Sequence, residues 1–200
     1  MKVLIACEYS GIVRDAFIKK GFNATSCDIL PTESKGKHYQ GDVLDILGDA
    51  WDLMIAHPPC THLSVSGARW FTEGKKPMYL RDEAIEFVQK LMDAPIKHIA
   101  IENPVSVISS YIRKSDQMIN PYQFGHKEYK RTCLWLKDLP KLEETSNVKE
   151  ETDKLPVNQK HRIHWLGSGK GKERSKFYSG IAEAMADQWG NHIKKIELDI

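Results

Sequence analysis

Short apolar runs alternate with longer amphipathic segments along this chain, and that alternation limits the fold more than any other feature. Val3–Ala6, Trp51–Ala56 and Lys97–Ile101 each have the pattern of a buried strand. Tyr79–Asp93 places its apolar residues on one side at helical spacing. Strands that alternate with helices predict an α/β fold with a mostly parallel sheet and helices on both faces. The other predicted elements are a helix after Gly11, strands at Asn23–Cys27 and Cys133–Leu136, and a closing helix at Ile181–Trp189.

Length and composition exclude several classes of protein. The chain has 200 residues, enough for a single domain over 1–200, and 41% of them are hydrophobic, which excludes a disordered chain. A net charge of +2 does not indicate a nucleic-acid coat, although it leaves room for a local basic groove. The four cysteines lie far apart without a CxxC motif, so neither a zinc module nor a disulfide scaffold is indicated. With no signal peptide and no apolar run of about 20 residues, we expect a cytoplasmic protein without a membrane partner.

Polar residues follow several predicted strands at the point where each strand ends. They occur at Glu8–Gly11, Asp28, His57–Cys60 and Glu102–Asn103. Because ligands of parallel α/β sheets bind at the carboxyl ends of the strands, all four groups should converge on one edge of the sheet. This convergence is the strongest indication of a functional site that the residues give on their own.

Two of these residues are suited to chemistry. Cys60 follows two prolines that fix the backbone, and it lies close to His57 and His62, which suits a nucleophilic thiolate. The alternative is a small buried hydrophobic residue. Glu102 ends an apolar strand, and a carboxyl in such a partly dry position tends to hold its proton, as a general acid must. The alternative for Glu102 is a solvated strand cap.

Other residues suggest binding roles. Asp28 and Asp42 follow strands where a carboxylate often accepts hydrogen bonds from a ribose or an adenine amine, with turn formation as the alternative. Ser10–Gly11 would let a cofactor approach the backbone, although there is no GxGxxG motif. The basic segment Lys160–Lys176 contains Trp165 and suits nucleic acid, or else is a solvated loop. The histidines have no metal-ligand spacing, so we expect no metal.

Taken in order along the chain, these segments resemble the DNA (cytosine-5) methyltransferase family, in a short form of the bacteriophage type. Pro59-Cys60-Thr61-His62-Leu63-Ser64 is similar to the family's Pro-Cys-Gln-x-Phe-Ser loop, and Glu102-Asn103-Pro104 is similar to its Glu-Asn-Val. Weaker matches, which extend the resemblance over most of the chain, are Tyr9–Ile12 for the cofactor loop, Gly41–Val43 for the adenine contact, Gly125 with Lys130 and Arg131 for the Gln-x-Arg-x-Arg strand, and Ser179–Ala182 for the closing segment.

The resemblance implies a Rossmann-like methyltransferase fold that uses S-adenosylmethionine to methylate C5 of cytosine in DNA. Cys60 would add to C6 of the ring as the catalytic nucleophile, and Glu102 would hydrogen-bond N3 and the exocyclic amine. The implied cofactor-binding residues are Tyr9, Ser10, Gly11, Asp28, Asp42 and Pro58. The implied substrate-binding residues are Asn103, Lys130 and Arg131. A phage-encoded enzyme of this kind would act in the host cytoplasm.

The sequence also departs from that family. Val13 and Arg14 stand where the family has glycines, and Thr61 stands for the Gln after the nucleophile. The interval between Leu136 and Ser179 is too short for the usual target-recognition domain, so 141–176 would be a reduced polar and basic excursion, and a partner chain could supply recognition. The alternatives are methyl transfer to RNA or a free nucleotide, transfer to an amino group, and a non-catalytic binder of nucleic acid or cofactor.

Overall fold

The computed structural model describes residues 1–166 and 169–198, and within them the protein forms a seven-stranded sheet. The strands are β1 Lys2–Ala6, β2 Asn23–Asp28, β3 His38–Gln40, β4 Leu53–Ala56, β5 His98–Pro104, β6 Gln117–Ile119 and β7 Thr132–Lys137. Their order across the sheet is β3-β2-β1-β4-β5-β7-β6. The first five strands are parallel to one another, and β7 runs antiparallel to both β5 and β6.

The helices vary widely in length. Those in the described residues are α1 Ile12–Lys19, α2 Arg69–Thr72, α3 Tyr79–Met92, α4 Ile108–Tyr111, α5 Lys149–Asp153, α6 Val157–Lys160, α7 Arg162–Trp165, α8 Gly171–Ser175 and α9 Ser179–Leu198. Short 3-10 turns occur at Val43–Asp45, Cys60–His62, Val65–Gly67 and Pro121–Gln123. None of the helices in 1–166 and 169–198 is both long and apolar enough to cross a bilayer.

The core lies on both faces of the sheet, because successive side chains of a strand point to opposite sides. In β1, Val3 and Ile5 join a buried cluster with residues of α1 and α9. Leu4 and Ala6 join a second cluster with residues of α3 on the other face. The α/β fold with a mostly parallel sheet and helices on both faces is therefore confirmed.

Several element bounds differ from the sequence-based expectation. β3 and β6 were not predicted, because each has only three residues and neither carries a long apolar run. No element was predicted for the segment after Cys60, which contains α2 and the 3-10 turns Cys60–His62 and Val65–Gly67. α9 begins at Ser179 and continues to Leu198, well beyond the predicted Ile181–Trp189.

The order of the strands places a crevice at one edge. β2 and β3 lie on one side of β1, whereas β4 and β5 lie on the other, so the order of the strands reverses between β1 and β4. In open parallel sheets the loops diverge at such a point, and ligands bind outside the carboxyl ends of the strands there.

Candidate functional site

The strand-end groups do converge at this edge. Ala6 at the end of β1 is paired with Ala56 at the end of β4, and β5 continues alongside them. The His57 amide donates to the Ala6 carbonyl at 2.9 Å. Asn103 Nδ2 donates to the Pro58 carbonyl at 2.8 Å, so the end of β5 is tied to the loop that carries Cys60. The buried Asn103 amide therefore holds the backbone next to the two prolines.

His57 and Glu102 form a pair at this edge. His57 Nδ1 lies 3.0 Å from Glu102 Oε2, and the two side chains are only 12% and 11% exposed. The Phe177 ring packs against the imidazole with its centroid 4.7 Å away. The pair is thus largely shielded from water on the side of Phe177.

The ionisation of Glu102 differs from the sequence-based expectation. Burial raises the pKa of this carboxyl, but the hydrogen bond and charge of His57, together with Lys130 and Thr132, outweigh burial and hold the pKa below its usual value. The prediction that Glu102 holds its own proton is therefore wrong. The fold supplies a hydrogen-bond partner, His57, that a strand-end carboxyl does not have by itself, and this partner favours the ionised carboxylate.

Cys60 is held at the surface by the loop after β4. Pro59 precedes it with φ −55° and ψ 122°, and the amides of Leu63 and Ser64 both donate to the Cys60 carbonyl. The residue is exposed, as a nucleophile must be. Crowding by protein atoms and then the charge of Glu102 raise the pKa of the thiol, while Lys130 opposes the rise. The charge of Glu102 thus reaches the thiol, and the hydrogen bond from Asn103 to the Pro58 carbonyl holds the two segments together.

Lys130 and Arg131, which precede β7, act on different groups of the site. Because β7 is antiparallel, the residues just before it lie at the carboxyl edge, and Thr132 pairs with Pro104 of β5. The charge of Lys130 lowers the pKa of both Cys60 and Glu102. The charge of Arg131 acts instead on the pKa of Cys133. Lys130 is the cation near the two candidate catalytic groups, and the substrate-binding role of Asn103, Lys130 and Arg131 stays a prediction.

The loop after β1 is filled by the protein's own side chains. Glu8 is buried and accepts hydrogen bonds from the amides of Val13 (2.7 Å) and Arg14 (3.2 Å), so it caps the start of α1. Gly11 has a φ of 77°, and a Cβ there would collide with the Ser34 hydroxyl and the Arg14 guanidinium. The departure from the family's glycines thus has a structural reason.

The side chain of Arg14 fills the space beside Gly11. This side chain is fully buried and donates to Ser26, Thr32 and Ser34, and it also forms an ion pair with Asp15 at 2.8 Å. These bonds hold the segment that follows β2 against α1. The buried charge is therefore satisfied within the protein.

Asp28 and Asp42 lie at the ends of β2 and β3. Each accepts one amide hydrogen bond in its own turn, from Leu30 at 2.9 Å and from Leu44 at 3.0 Å. Both charges raise the pKa of Cys7, although burial of that thiol is the larger cause, so the two carboxylates lie on the same side of the crevice. The second oxygen of each carboxylate accepts no hydrogen bond from the described residues, and it can accept one from a ligand.

A segment near the end of the chain crosses this edge. Residues 171–178, which we call the strap, connect to the loops after three strands. The Tyr9 hydroxyl donates to the Lys172 carbonyl at 2.6 Å. Glu33 forms ion pairs with Lys172 at 3.3 Å and Lys176 at 3.1 Å. With Phe177 against His57, the strap is fixed to the loops after β1, β2 and β4. Gly167 and Ser168, within the predicted basic segment and excursion, lie outside the described residues.

Sequence reasoning missed the roles of His57 and Phe177. His57 was visible as a histidine directly after an apolar strand, but only the fold shows that it faces Glu102. Phe177 gave no signal, because nothing in the sequence relates it to β4. Among the described residues, no group of three His, Cys, Asp or Glu side chains is placed to hold a metal ion.

Comparisons with known proteins find only distant similarities to solved structures. No protein-family model and no curated protein matches the chain. A candidate DNA modification methyltransferase encoded within a prophage of E. coli is similar at 14% identity and a TM-score of 0.46, over 78% of this chain and 56% of that one. The Entamoeba histolytica methyltransferase EhMeth is similar at 16% identity and a TM-score of 0.49, over 74% of this chain and 57% of that one. The chain spans just over half the length of each, so its function must be argued from the residues of the site.

Proposed function

We propose that the protein methylates C5 of cytosine in DNA through a covalent bond between Cys60 and C6 of the ring. One observation carries this proposal: the loop with the exposed Cys60 thiol is tied to the end of β5, which carries the buried Glu102 carboxylate, by the hydrogen bond from Asn103 to the Pro58 carbonyl. A nucleophile next to a group that can hydrogen-bond the ring is what this chemistry requires. Lys130 adds a positive charge beside both groups.

The chemistry is a sequence of bond exchanges at one ring. The Cys60 thiol gives its proton to water, and its sulfur bonds to C6, which moves the C5–C6 electron pair onto C5. S-adenosylmethionine, when bound, would supply the methyl group that C5 accepts and would leave as S-adenosylhomocysteine. The C5 proton then leaves to water, the C5–C6 double bond forms again, and the Cys60–C6 bond breaks to release the thiolate. Because these atoms are enclosed in a duplex, the cytosine must first rotate out of the stack.

Glu102 and His57 together orient the base. The ionised Glu102 accepts a hydrogen bond from the exocyclic amine. N3 takes a proton from water as Cys60 adds to C6 and returns it as Cys60 leaves. His57 Nδ1 lies 3.0 Å from Glu102 Oε2, so His57 is a positioning residue that holds the carboxylate in place.

The crevice fits part of the cofactor. Asp28 and Asp42 have free acceptor oxygens at the ends of β2 and β3, and they would hold the ribose hydroxyls or the adenine amine. The rest of the molecule would be held by the loops that follow β1 and β4, which contain Tyr9, Ser10, Gly11 and Pro58. The space at Gly11 is filled by Ser34 and Arg14, so the cofactor would lie outside that turn rather than against it.

A non-catalytic binder is the second candidate function. The filled space at Gly11 favours it, because it removes a place where a cofactor could approach the backbone. The retained pair of Cys60 and Glu102 favours the enzyme, because a binder needs neither a nucleophile nor its partner. Binding of S-adenosylmethionine, measured by calorimetry, distinguishes the enzyme from the binder only together with an assay of methyl transfer.

The test offers radiolabelled S-adenosylmethionine with duplex DNA, single-stranded DNA, RNA or deoxycytidine monophosphate. We expect label in DNA, and a loss of at least about a thousandfold in Cys60→Ala. A DNA oligonucleotide with 5-fluorocytosine should also form a covalent complex, because fluorine cannot leave C5 as a proton does. Transfer that survives in Cys60→Ala would exclude the covalent mechanism. Cofactor binding without any transfer would favour the binder.

A further inference from the structure

Two cations lie against one buried ring beside Cys60. The Arg81 guanidinium carbon lies 4.0 Å from the centroid of Phe71, and Lys76 Nζ lies 5.7 Å from it. His62 meets the edge of the same ring with the centroids 6.0 Å apart. Arg81 is only 7% exposed, and Phe71 is 5% exposed. We call these four residues the Phe71 cluster.

The two cations of the Phe71 cluster form no ion pair with the described residues, and the nearby Glu83 acts on His62 only through its charge. Among the described residues, no carboxylate forms an ion pair with Arg81 or Lys76, and Arg81 Nε is buried without a hydrogen bond. His62 Nδ1 is buried without a partner as well. Burying a guanidinium without a partner is costly, and the Phe71 face offsets only part of that cost.

The other buried arginine shows that the protein can satisfy such a group. Arg14 is fully buried, and it has Asp15, Ser26, Thr32 and Ser34 around its guanidinium. Arg81 has nothing comparable within the part of the chain that the structure describes. The difference indicates that the partner of Arg81 is a ligand.

The position of the cluster identifies the ligand by its chemistry. His62 belongs to the 3-10 turn that begins at Cys60, and α3, which carries Arg81, contacts that turn. Trp70 and Tyr79 flank the cluster with 37% and 58% of their surface exposed, and exposed aromatic rings suit stacking with bases. A guanidinium binds a phosphate through two parallel hydrogen bonds.

We propose that the Phe71 cluster binds a phosphodiester of the polynucleotide next to the cytosine that Cys60 attacks. Arg81 and Lys76 contact the phosphate oxygens, and neutral His62 adds a hydrogen bond. The substrate is therefore a polynucleotide and not a free nucleotide. This inference rests on the proposed function for the identity of the reacting base, but the anion site can be tested without any methyl transfer.

The test measures binding of a fluorescein-labelled single-stranded 15-mer DNA with one cytosine, by anisotropy at several NaCl concentrations. Arg81→Met should weaken binding roughly tenfold and reduce the slope of log K against log salt by about 0.7. Lys76→Gln should reduce the slope similarly, and it changes a half-buried residue, so it serves if Arg81→Met fails to fold. Lys75→Gln is the control, because Lys75 lies over Trp70 and is paired with Glu73 at 2.7 Å. Its slope should stay within error of the unaltered protein.

Thermal unfolding separates a ligand site from a structural role. An arginine retained for a ligand costs the free protein stability, so Arg81→Met should keep or raise the unfolding temperature. The proposal would be overturned if Arg81→Met greatly lowered the unfolding temperature while Lys76→Gln left the slope of log K against log salt unchanged. Displacement of the 15-mer by deoxycytidine monophosphate at comparable concentration would overturn the preference for a polynucleotide. If the slopes change but nothing is methylated, the anion site holds and the proposed function fails.

Discussion

The chain has two basic regions, and they use their positive charges in opposite ways. In the strap, Lys172 and Lys176 are paired with Glu33, and Arg174 donates to the Leu166 carbonyl. Residues 61–81, which follow Cys60, hold four basic residues and one acidic residue, Glu73, which pairs with Lys75. The remaining cations there lie against aromatic rings. We therefore expect the cations after Cys60, rather than the paired cations of the strap, to bind a polynucleotide.

The largest difference between the two regions should come from charge reversal. Arg81→Glu removes an attraction and adds a repulsion beside Cys60, so the affinity for the 15-mer should fall roughly 100-fold. Lys172→Glu should change the affinity less than about threefold, because that lysine is already paired within the protein. Anisotropy at a fixed salt concentration measures both. Equal losses in the two variants would contradict the distinction between the regions.

A smaller effect, on the rate of methyl transfer, is expected from Phe177, the residue of the strap that packs against His57. Phe177→Ala removes the ring that packs against His57, so water reaches the pair with Glu102 and the hydrogen bond between them weakens. We expect kcat/KM for methyl transfer to fall roughly tenfold. The salt dependence of binding should not change. A change in that slope would show that the strap also contacts the polynucleotide.

The attachment of the strap should contribute modestly to stability. Tyr9→Phe removes the hydrogen bond from the buried hydroxyl to the Lys172 carbonyl, which should lower the free energy of unfolding by about 1 kcal/mol. In a chain of this length that corresponds to a fall of roughly 2–4 °C in Tm. Calorimetry gives the value. Val65→Ala, which truncates a half-exposed side chain away from the strap, is the control and should change Tm less.

The smallest effect should come from pH. Desolvation, and then the charge of Lys76, hold the pKa of His62 below its usual value, although Glu83 opposes them. His62 is therefore neutral at pH 7 and gains a proton only as the pH falls below about 6.5, so binding of the 15-mer should tighten about two- to fivefold between pH 7 and pH 5.

The strap should not respond over that range. The hydrogen bond from Lys176 holds the pKa of Glu33 below its usual value. The stabilisation from this ion pair is therefore complete above the pKa of a free carboxyl, and it is lost only as the pH falls below that pKa. His62→Asn should abolish the pH response of binding. A response that persists in His62→Asn would assign it to another group.

Local pattern predicted the centre of the sheet because β1, β4 and β5 are apolar runs bounded by polar residues. It did not predict β3 or β6, since a three-residue strand is stabilised by its neighbours rather than by its own residues. Cys60 and Glu102 could be selected from their positions at strand ends. The ionisation of Glu102 could not, because it depends on His57 across the crevice.

The burial of Arg81 also could not be predicted from the sequence. A pattern of apolar residues on α3 assigns the core face to Leu80, Ala84, Phe87, Val88 and Leu91, which leaves Arg81 as an ordinary polar position. The structure buries Arg81 because α2 brings Phe71 over it. That contact depends on the fold of a segment whose sequence has no helical periodicity.

The bonds of the strap also determine when the site is finished during synthesis. A ribosome makes Cys60 and Glu102 well before it makes Tyr178, and α9 packs on α1, so the last part of the chain must fold back onto the first. Until then His57 lacks the ring of Phe177, and the strap lacks its anchor at Tyr9. The pair of His57 and Glu102 is therefore shielded from water only after residues 171–178 have folded back onto the loop after β4.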